Sequence, residues 1–407
     1  MQDLYDPSRH EPLTSTAWNE AAAHQAIVRI AAAAEAEFDA AQGNWPLHPR
    51  DEPDPPAERQ VDLYFGSLGA IWALRDLAAQ DAITLRTDFL PVIEAGPAQL
   101  RSSLADYPHG SASFLCGESG ALLLQWMATR RADVAERLFD VVKGNLHNGA
   151  REPLWGSPGT VLAAIHMSEA TGEVRWMFLV QQAIEIMLSE MVIDPETGSW
   201  IWEQDMYGRR ARHLGAGHGF AGNVFAALRG AGCIDELTRT SFEKRALETL
   251  TLTALQAEHE GVRGLNWHPM VDAQRVAGRL PLVQDCHGSP GIICRLATMP
   301  RSPAWDELLR GAGELTWFAG PLTKGPSLCH GTAGSAMACL KLWRRFGQAV
   351  WLERARRLAM HAIEQVEAAR IKFGQGRHTL WSGDLGLACT LLNCIRADDR
   401  FPTLDHF

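Results

Sequence analysis

The chain has 407 residues, 46% of them hydrophobic and 21% charged, the composition of a globular protein with a large core. A net charge of −10 excludes the basic face that phosphate neutralisation requires, so nucleic acid is not an expected partner. No stretch approaches 18 apolar residues free of charge, and residues 1–6 lack the basic-then-apolar order of a secretory signal. The expectation is a cytoplasmic protein with no transmembrane segment, whose eight cysteines are reduced thiols and not a disulfide framework.

Taken in order, the chain repeats one device seven times: a Gly-x-x-Gly followed by an apolar run. The pairs are Gly66/Gly69, Gly117/Gly120, Gly156/Gly159, Gly219/Gly222, Gly288/Gly291, Gly331/Gly334 and Gly383/Gly386. The runs after them are apolar nearly all round, as buried helices are. Between them lie amphipathic segments of helical spacing, at 16–41, 87–104, 130–148, 174–191, 240–258, 304–318 and 350–369. The pattern predicts an all-α fold, an α/α toroid with seven outer and seven inner helices in one closed domain over 1–407. Each glycine pair falls where a loop enters an inner helix, where close approach and unusual dihedrals are expected. All seven inner helices then begin at one rim and offer unpaired N–H groups there. Strand signals are weak; Trp200, Ile201 and Trp202 fit a short hairpin. Segments 42–58, 194–213 and 261–282 read as irregular loops, the last two leading into the fourth and fifth repeats.

Two of the repeats carry metal-binding side chains. Cys286 stands two residues before Gly288, and Cys329 and His330 stand two and one before Gly331. Adjacent repeats are neighbours in a ring, so Cys286, Cys329 and His330 can converge on one Zn2+. Three protein ligands with a fourth position open is the catalytic pattern for zinc. Such an ion holds a bound thiol as thiolate, or activates water. Cys294 and Cys339 fall inside inner helices and read as core thiols. His287 duplicates the His330 register and is assigned with Lys324 to substrate, Lys324 as a partner for a carboxylate. His218, immediately before Gly219, is suited to moving a proton to an enolate. Glu152, four before Gly156, is a candidate to assist proton transfer or to orient a substrate amide. Phe65, Cys116 and Ser382, at matching positions, are poorer in catalytic groups.

These segments resemble the lanthionine synthetase C-like family. The resemblance is carried by Cys116-Gly117-Glu118-Ser119-Gly120, His218-Gly219-Phe220-Ala221-Gly222, and the segments around Cys286-His287-Gly288 and Cys329-His330-Gly331. The ending Asp399-Arg400-Phe401-Pro402 is similar to eukaryotic-type members. The resemblance implies a 14-helix toroid, zinc on Cys286, Cys329 and His330, and His218 as acid/base. It implies addition of a thiol to dehydroalanine or dehydrobutyrine, with glutathione and a dehydrated peptide or protein as partners. Cys286 followed by His287 and the short early gaps favour the glutathione-adding branch over lanthipeptide cyclases. Lys324 matches a lysine implicated there in glutathione binding. Two other readings stay open: a cyclase forming lanthionine rings, and a zinc-stabilised binding or scaffold protein. A glycosidase, another user of α/α toroids, would need two carboxylates at the cavity, such as Glu152 with Glu118 or Asp384.

Overall fold

The structure is a computed structural model, and it describes residues 1–51, 60–106, 111–206 and 208–407. The helices are α1 (Glu20–Ala36), α2 (Ser67–Ala79), α3 (Leu90–Ser103), α4 (Glu118–Thr129), α5 (Ala132–Gly144), α6 (Ser157–Thr171), α7 (Val174–Ser189) and α8 (Phe220–Arg229). They continue with α9 (Glu236–Thr253), the single turn α10 (Ala273–Val276), α11 (Ser289–Leu296), α12 (Pro303–Ala319), α13 (Thr332–Phe346), α14 (Ala349–Phe373) and α15 (Asp384–Arg396). Every inner helix (α2, α4, α6, α8, α11, α13 and α15) starts at the residue after the first glycine of a pair. Each packs on the next, and α15 packs on α2, which closes the ring. Outer helices α3, α5, α7, α12 and α14 each pack on the two inner helices they connect, α9 packs on α8, and α1 returns to cover α15. The expected alternation of seven outer and seven inner helices is therefore the observed fold.

Burial follows the two sequence patterns. On α6, every residue from Ser157 to Met167 is buried, so this helix has no water-facing stripe. On α5, only Val134, Ala135, Leu138, Val141 and Val142 are buried, a single face at helical spacing. Full burial of each such aliphatic side chain stabilises by about 1.5–3 kcal/mol. Among the outer helices, α1, α9 and α12 start on side-chain caps, from Asn19, Asp235 and Ser302.

The inner helices start differently, and this corrects one expectation. At five of them the first amide is not open to a ligand, because the preceding loop folds back and accepts it seven residues upstream, and at α11 the Ser289 amide is taken by Asn266 Oδ1. Ser67 N–H donates to Gln60 C=O, Phe220 to His213, Thr332 to Gly325 and Asp384 to Arg377. That fold-back explains the glycines. A Cβ on Gly291 would lie 1.8 Å from the carbonyl oxygen of Asp285, an impossible contact. The expected unusual dihedral appears at Gly288 alone among the first glycines, with φ +103°. Close approach is the general reason for the motif.

Three two-stranded antiparallel hairpins decorate the long connections. β1 (Val192–Ile193) pairs with β2 (Trp200–Ile201), and β3 (Gln204–Met206) with β4 (Arg209–Ala211). β5 (Leu255–His259) pairs with β6 (Val262–Asn266). Segments 194–213 and 261–282 are thus partly ordered, not irregular loops. The helix expected over 240–258 ends at Thr253, and 255–258 belong to β5. The strand wins there because the turn at Glu260 and Gly261 (φ +50° and +78°) closes a hairpin whose far strand packs into the core. Of segment 42–58, the proline-rich part at 53–56 lies outside the described residues. No helix among the described residues is long and apolar enough to cross a membrane.

Candidate metal and active site

The rim is built by one backbone rule. In four of the repeats the residue two before the first glycine donates its amide to the equivalent carbonyl of the next repeat: Gly217 to Cys286 (3.1 Å), Cys286 to Cys329 (3.3 Å), Cys329 to Trp381 (2.9 Å) and Tyr64 to Leu115 (3.0 Å). This lateral ladder fixes the register of neighbouring loops. Side chains one and two positions before the glycine then converge at the mouth of the ring.

Within that mouth, the sulfurs of Cys286 and Cys329 and a ring nitrogen of His330 all lie within 4.8 Å of one another. A tetrahedral zinc with bonds of about 2.3 Å to sulfur sets its ligand atoms roughly 3.7 Å apart, so the group must contract by about 1 Å at most. Both cysteines are buried, and His330 is half-buried. The two sulfurs differ before any ion is considered. Cys286 accepts a hydrogen bond from the Cys329 thiol, which draws its own titration well below the ordinary thiol value. Cys329 is pushed well above it, first by burial and then by the Cys286 charge. A divalent cation would take both sulfurs as thiolates and remove the difference between them. The donor set, two sulfurs and an imidazole, fits zinc.

Two further donors reach the sulfurs. The phenol of Tyr64 donates to Cys329 Sγ at 2.6 Å, and the Gln284 side-chain amide donates to Cys286 Sγ at 2.9 Å. Neither residue was expected at the site from the sequence. Tyr64 stands two before Gly66, in the register of the two ligand cysteines, and that register was the available signal.

His218 and Glu152 meet in the structure. His218 Nδ1 is 2.9 Å from Glu152 Oε2. Glu152 is fully buried and also accepts the amides of Leu154 (3.0 Å) and Trp155 (2.5 Å) in its own loop. Asp62 holds the same position in the first repeat and takes the amides of Tyr64 and Phe65. Burial pushes the Asp62 carboxyl up to about 6. The carboxylate four before the glycine is therefore first a loop clamp; in the third repeat Oε2, which already accepts the Leu154 amide, also bonds a histidine. For His218, burial disfavours the charged ring, but the hydrogen bond and charge of Glu152 outweigh it and hold the pKa above 6.5. The rings of His213, His218 and His287 form a triangle with centroids 6.1–6.2 Å apart. His213 was not expected there; burial and its two histidine neighbours push it down to about 4.

These groups open on one cavity of about 310 Å³. His218, His287, Cys286, Cys329 and His330 line it, and Lys324 reaches its edge, exposed. Phe65, Leu115 and Leu154 supply an apolar side from the first three repeats. Arg9, a second exposed cation, also lines it. It is carried there by the N-terminal segment, whose backbone is pinned by Thr323 N–H on Arg9 C=O (3.0 Å) and by the Asn266 amide on Leu4 C=O (2.7 Å). Glu118 and Asp384 are not among the lining residues; Glu118 is bound by Arg101 and Arg137, and Asp384 folds back to the Arg377 amide. Neither carboxylate pair named for glycoside chemistry is thus assembled at the cavity, and Asp285, which does line it, is bound by Arg295 at 2.8 Å.

Sequence comparison matches residues 57–405 to the family described as lanthionine synthetase C-like protein. The chain belongs to that family. It is 26% identical over 255 residues to the glutathione S-transferase LANCL1 of Danio rerio, covering 57% of this chain and 58% of that protein. It is 32% identical over 129 residues to the LanC-like protein GCL1 of Arabidopsis thaliana, covering 30% of each. The matched regions thus span less than two thirds of either relative. Among solved structures, nisin cyclase superposes with a TM-score of 0.57 at 14% identity, covering 84% of this chain and 91% of that one. At that identity the likeness speaks for the fold, the α/α toroid.

Proposed function

We propose that this family member adds a thiol, glutathione in the first instance, to dehydroalanine or dehydrobutyrine residues of peptides or proteins. The observation that carries the reading is the single cavity that joins a two-cysteine, one-histidine metal group to a carboxylate-held histidine. Cys286, Cys329 and His330 would hold Zn2+. When bound, the ion supplies a Lewis acid that keeps a substrate thiol deprotonated at neutral pH.

The chain's own residues divide the remaining work. Lys324 and Arg9 attract the carboxylates of the thiol substrate to the mouth. The attacking sulfur forms a bond to Cβ of the dehydro residue, and the C=C electron pair moves toward the carbonyl as an enolate. His218, whose protonated form Glu152 favours, gives its proton to Cα and is reprotonated by the proton the thiol released, so thiol and alkene combine with nothing lost. Glu152 holds the ring by Nδ1 and leaves Nε2 free to face the cavity. His287 and the apolar side formed by Phe65, Leu115 and Leu154 flank the acceptor. Support for glutathione over a peptide cysteine comes from the two cations at the mouth and from the printed name of the zebrafish relative.

The test is mass spectrometry of a peptide containing both dehydro residues, incubated with zinc-loaded protein and glutathione. An enzyme-dependent gain of one glutathione, lost in His218→Ala and in Cys329→Ala, supports the reading. Loss of a peptide thiol with no mass change points to ring formation instead. No reaction in the presence of bound metal leaves the scaffold reading.

A further inference from the structure

Each metal-binding sulfur meets a buried, neutral donor that the thiol-addition scheme does not use. Tyr64 is 8% exposed and Gln284 3% exposed. The phenol lies 2.6 Å from Cys329 Sγ, and the Gln284 amide nitrogen 2.9 Å from Cys286 Sγ. Both are fixed by more than this contact. The Tyr64 ring stacks on Trp381, with centroids 5.5 Å apart and planes 13° from parallel. Its amide is tied laterally to Leu115 and clamped by Asp62. Gln284 and His287 exchange both backbone hydrogen bonds, at 3.1 and 3.2 Å, in a tight loop around Cys286.

Both donors are neutral and both point at sulfur, so both sulfurs are set as acceptors. The Gln284 N–H can only donate and the Tyr64 phenol donates to Cys329, so each sulfur is met by a group suited to a metal-bound thiolate. Two thiolates on one divalent ion cancel its charge and weaken it as a Lewis acid. Hydrogen bonds to sulfur draw electron density away from the metal–sulfur bond and restore part of that acidity. They also orient each sulfur in the low-dielectric interior, where an unsolvated thiolate is costly.

We propose that Tyr64 and Gln284 are positioning residues of the metal centre, which fix Cys329 and Cys286 as thiolate ligands and damp the charge they give to the metal. The proposal rests on the metal reading of Cys286, Cys329 and His330. It does not depend on which substrate the centre serves.

The test uses the full chain loaded with cobalt(II) as a spectroscopic stand-in, together with zinc affinity from competition with a chromophoric chelator. The wild type should show intense sulfur-to-cobalt charge-transfer absorption. In Tyr64→Phe, and separately in Gln284→Met, the freed sulfur holds its electrons less tightly. The band should move to lower energy, and zinc affinity should fall about 10- to 100-fold. Thermal unfolding of the metal-free variants separates this from loss of fold, and either variant alone suffices if the other does not fold. Band and affinity unchanged in a folded variant overturn the proposal. So does weaker affinity with an unmoved band, which would mean a packing role only. A wild type without thiolate–cobalt absorption removes the metal reading, and the proposal falls with it.

Discussion

Replacing Glu152 with glutamine keeps the shape of the side chain and removes its charge. The carboxylate is fully buried and serves three donors: the amides of Leu154 and Trp155 and the ring of His218. Glutamine offers one oxygen and one NH2 group, so at least one buried donor loses its acceptor. Hydrogen bonds to a charged group contribute about 1.5–3 kcal/mol against about 1 for neutral pairs, so the imidazolium of His218 loses about 1–2 kcal/mol. That corresponds to roughly one unit of its pKa. The sign follows from linkage. His218 titrates above 6.5 when folded, so its share of stability is fully present below the unfolded value. That share is lost as pH rises through the folded value. The stability gap between wild type and Glu152→Gln should therefore be widest below about pH 6.5 and narrow on the alkaline side, leaving a constant remainder from the unpaired loop amide. Chemical unfolding of both proteins at several pH values, at fixed metal content, measures it. A gap that does not change with pH would refute the claim that Glu152 holds a charged His218.

Gly291→Ala forces a Cβ into the Asp285 carbonyl and should cost about 3 kcal/mol or more, seen as a lowered thermal midpoint or insolubility. Gly144→Ala, at the open end of α5, should be neutral or stabilising by up to about 1 kcal/mol. Arg295→Leu leaves Asp285 buried without its 2.8 Å partner and should destabilise by about 3–5 kcal/mol, and adding Asp285→Asn should recover much of this. Lys324→Ala combined with Arg9→Ala should raise KM for glutathione several-fold while leaving kcat nearly unchanged, because both cations sit at the mouth and not beside the reacting atoms.

The ring was legible because seven glycine pairs mark the same physical event, a loop folding back on its own helix so closely that a Cβ cannot fit. The same register placed Cys286, Cys329 and His330 together, since side chains at equal distances before the glycine share one rim. Tyr64 escaped notice for a related reason: it holds the cysteine register, yet a lone tyrosine carries no metal signature. Gln284 stands four before Gly288, in the register of Asp62 and Glu152, yet a neutral amide there carries no metal signature, and His213 reaches the site through a loop outside the repeated register. Arg9 arrives from the opposite end of the chain by pairing with the loop before the sixth repeat, a long-range contact invisible to local pattern. The hairpins were underestimated because β5 is nearly all exposed and reads as a continuation of the amphipathic α9. The open N–H groups expected at the rim are absorbed by the loops, so the chemistry there rests on side chains.

The account turns on two adjacent repeats sharing one ion. Native mass spectrometry of the purified chain and of single alanine variants measures this directly. One zinc per wild-type chain, lost in Cys286→Ala and in Cys329→Ala but kept in Cys294→Ala and Cys339→Ala, is the result the rim geometry predicts. Zinc retained in full by both Cys286→Ala and Cys329→Ala would contradict it.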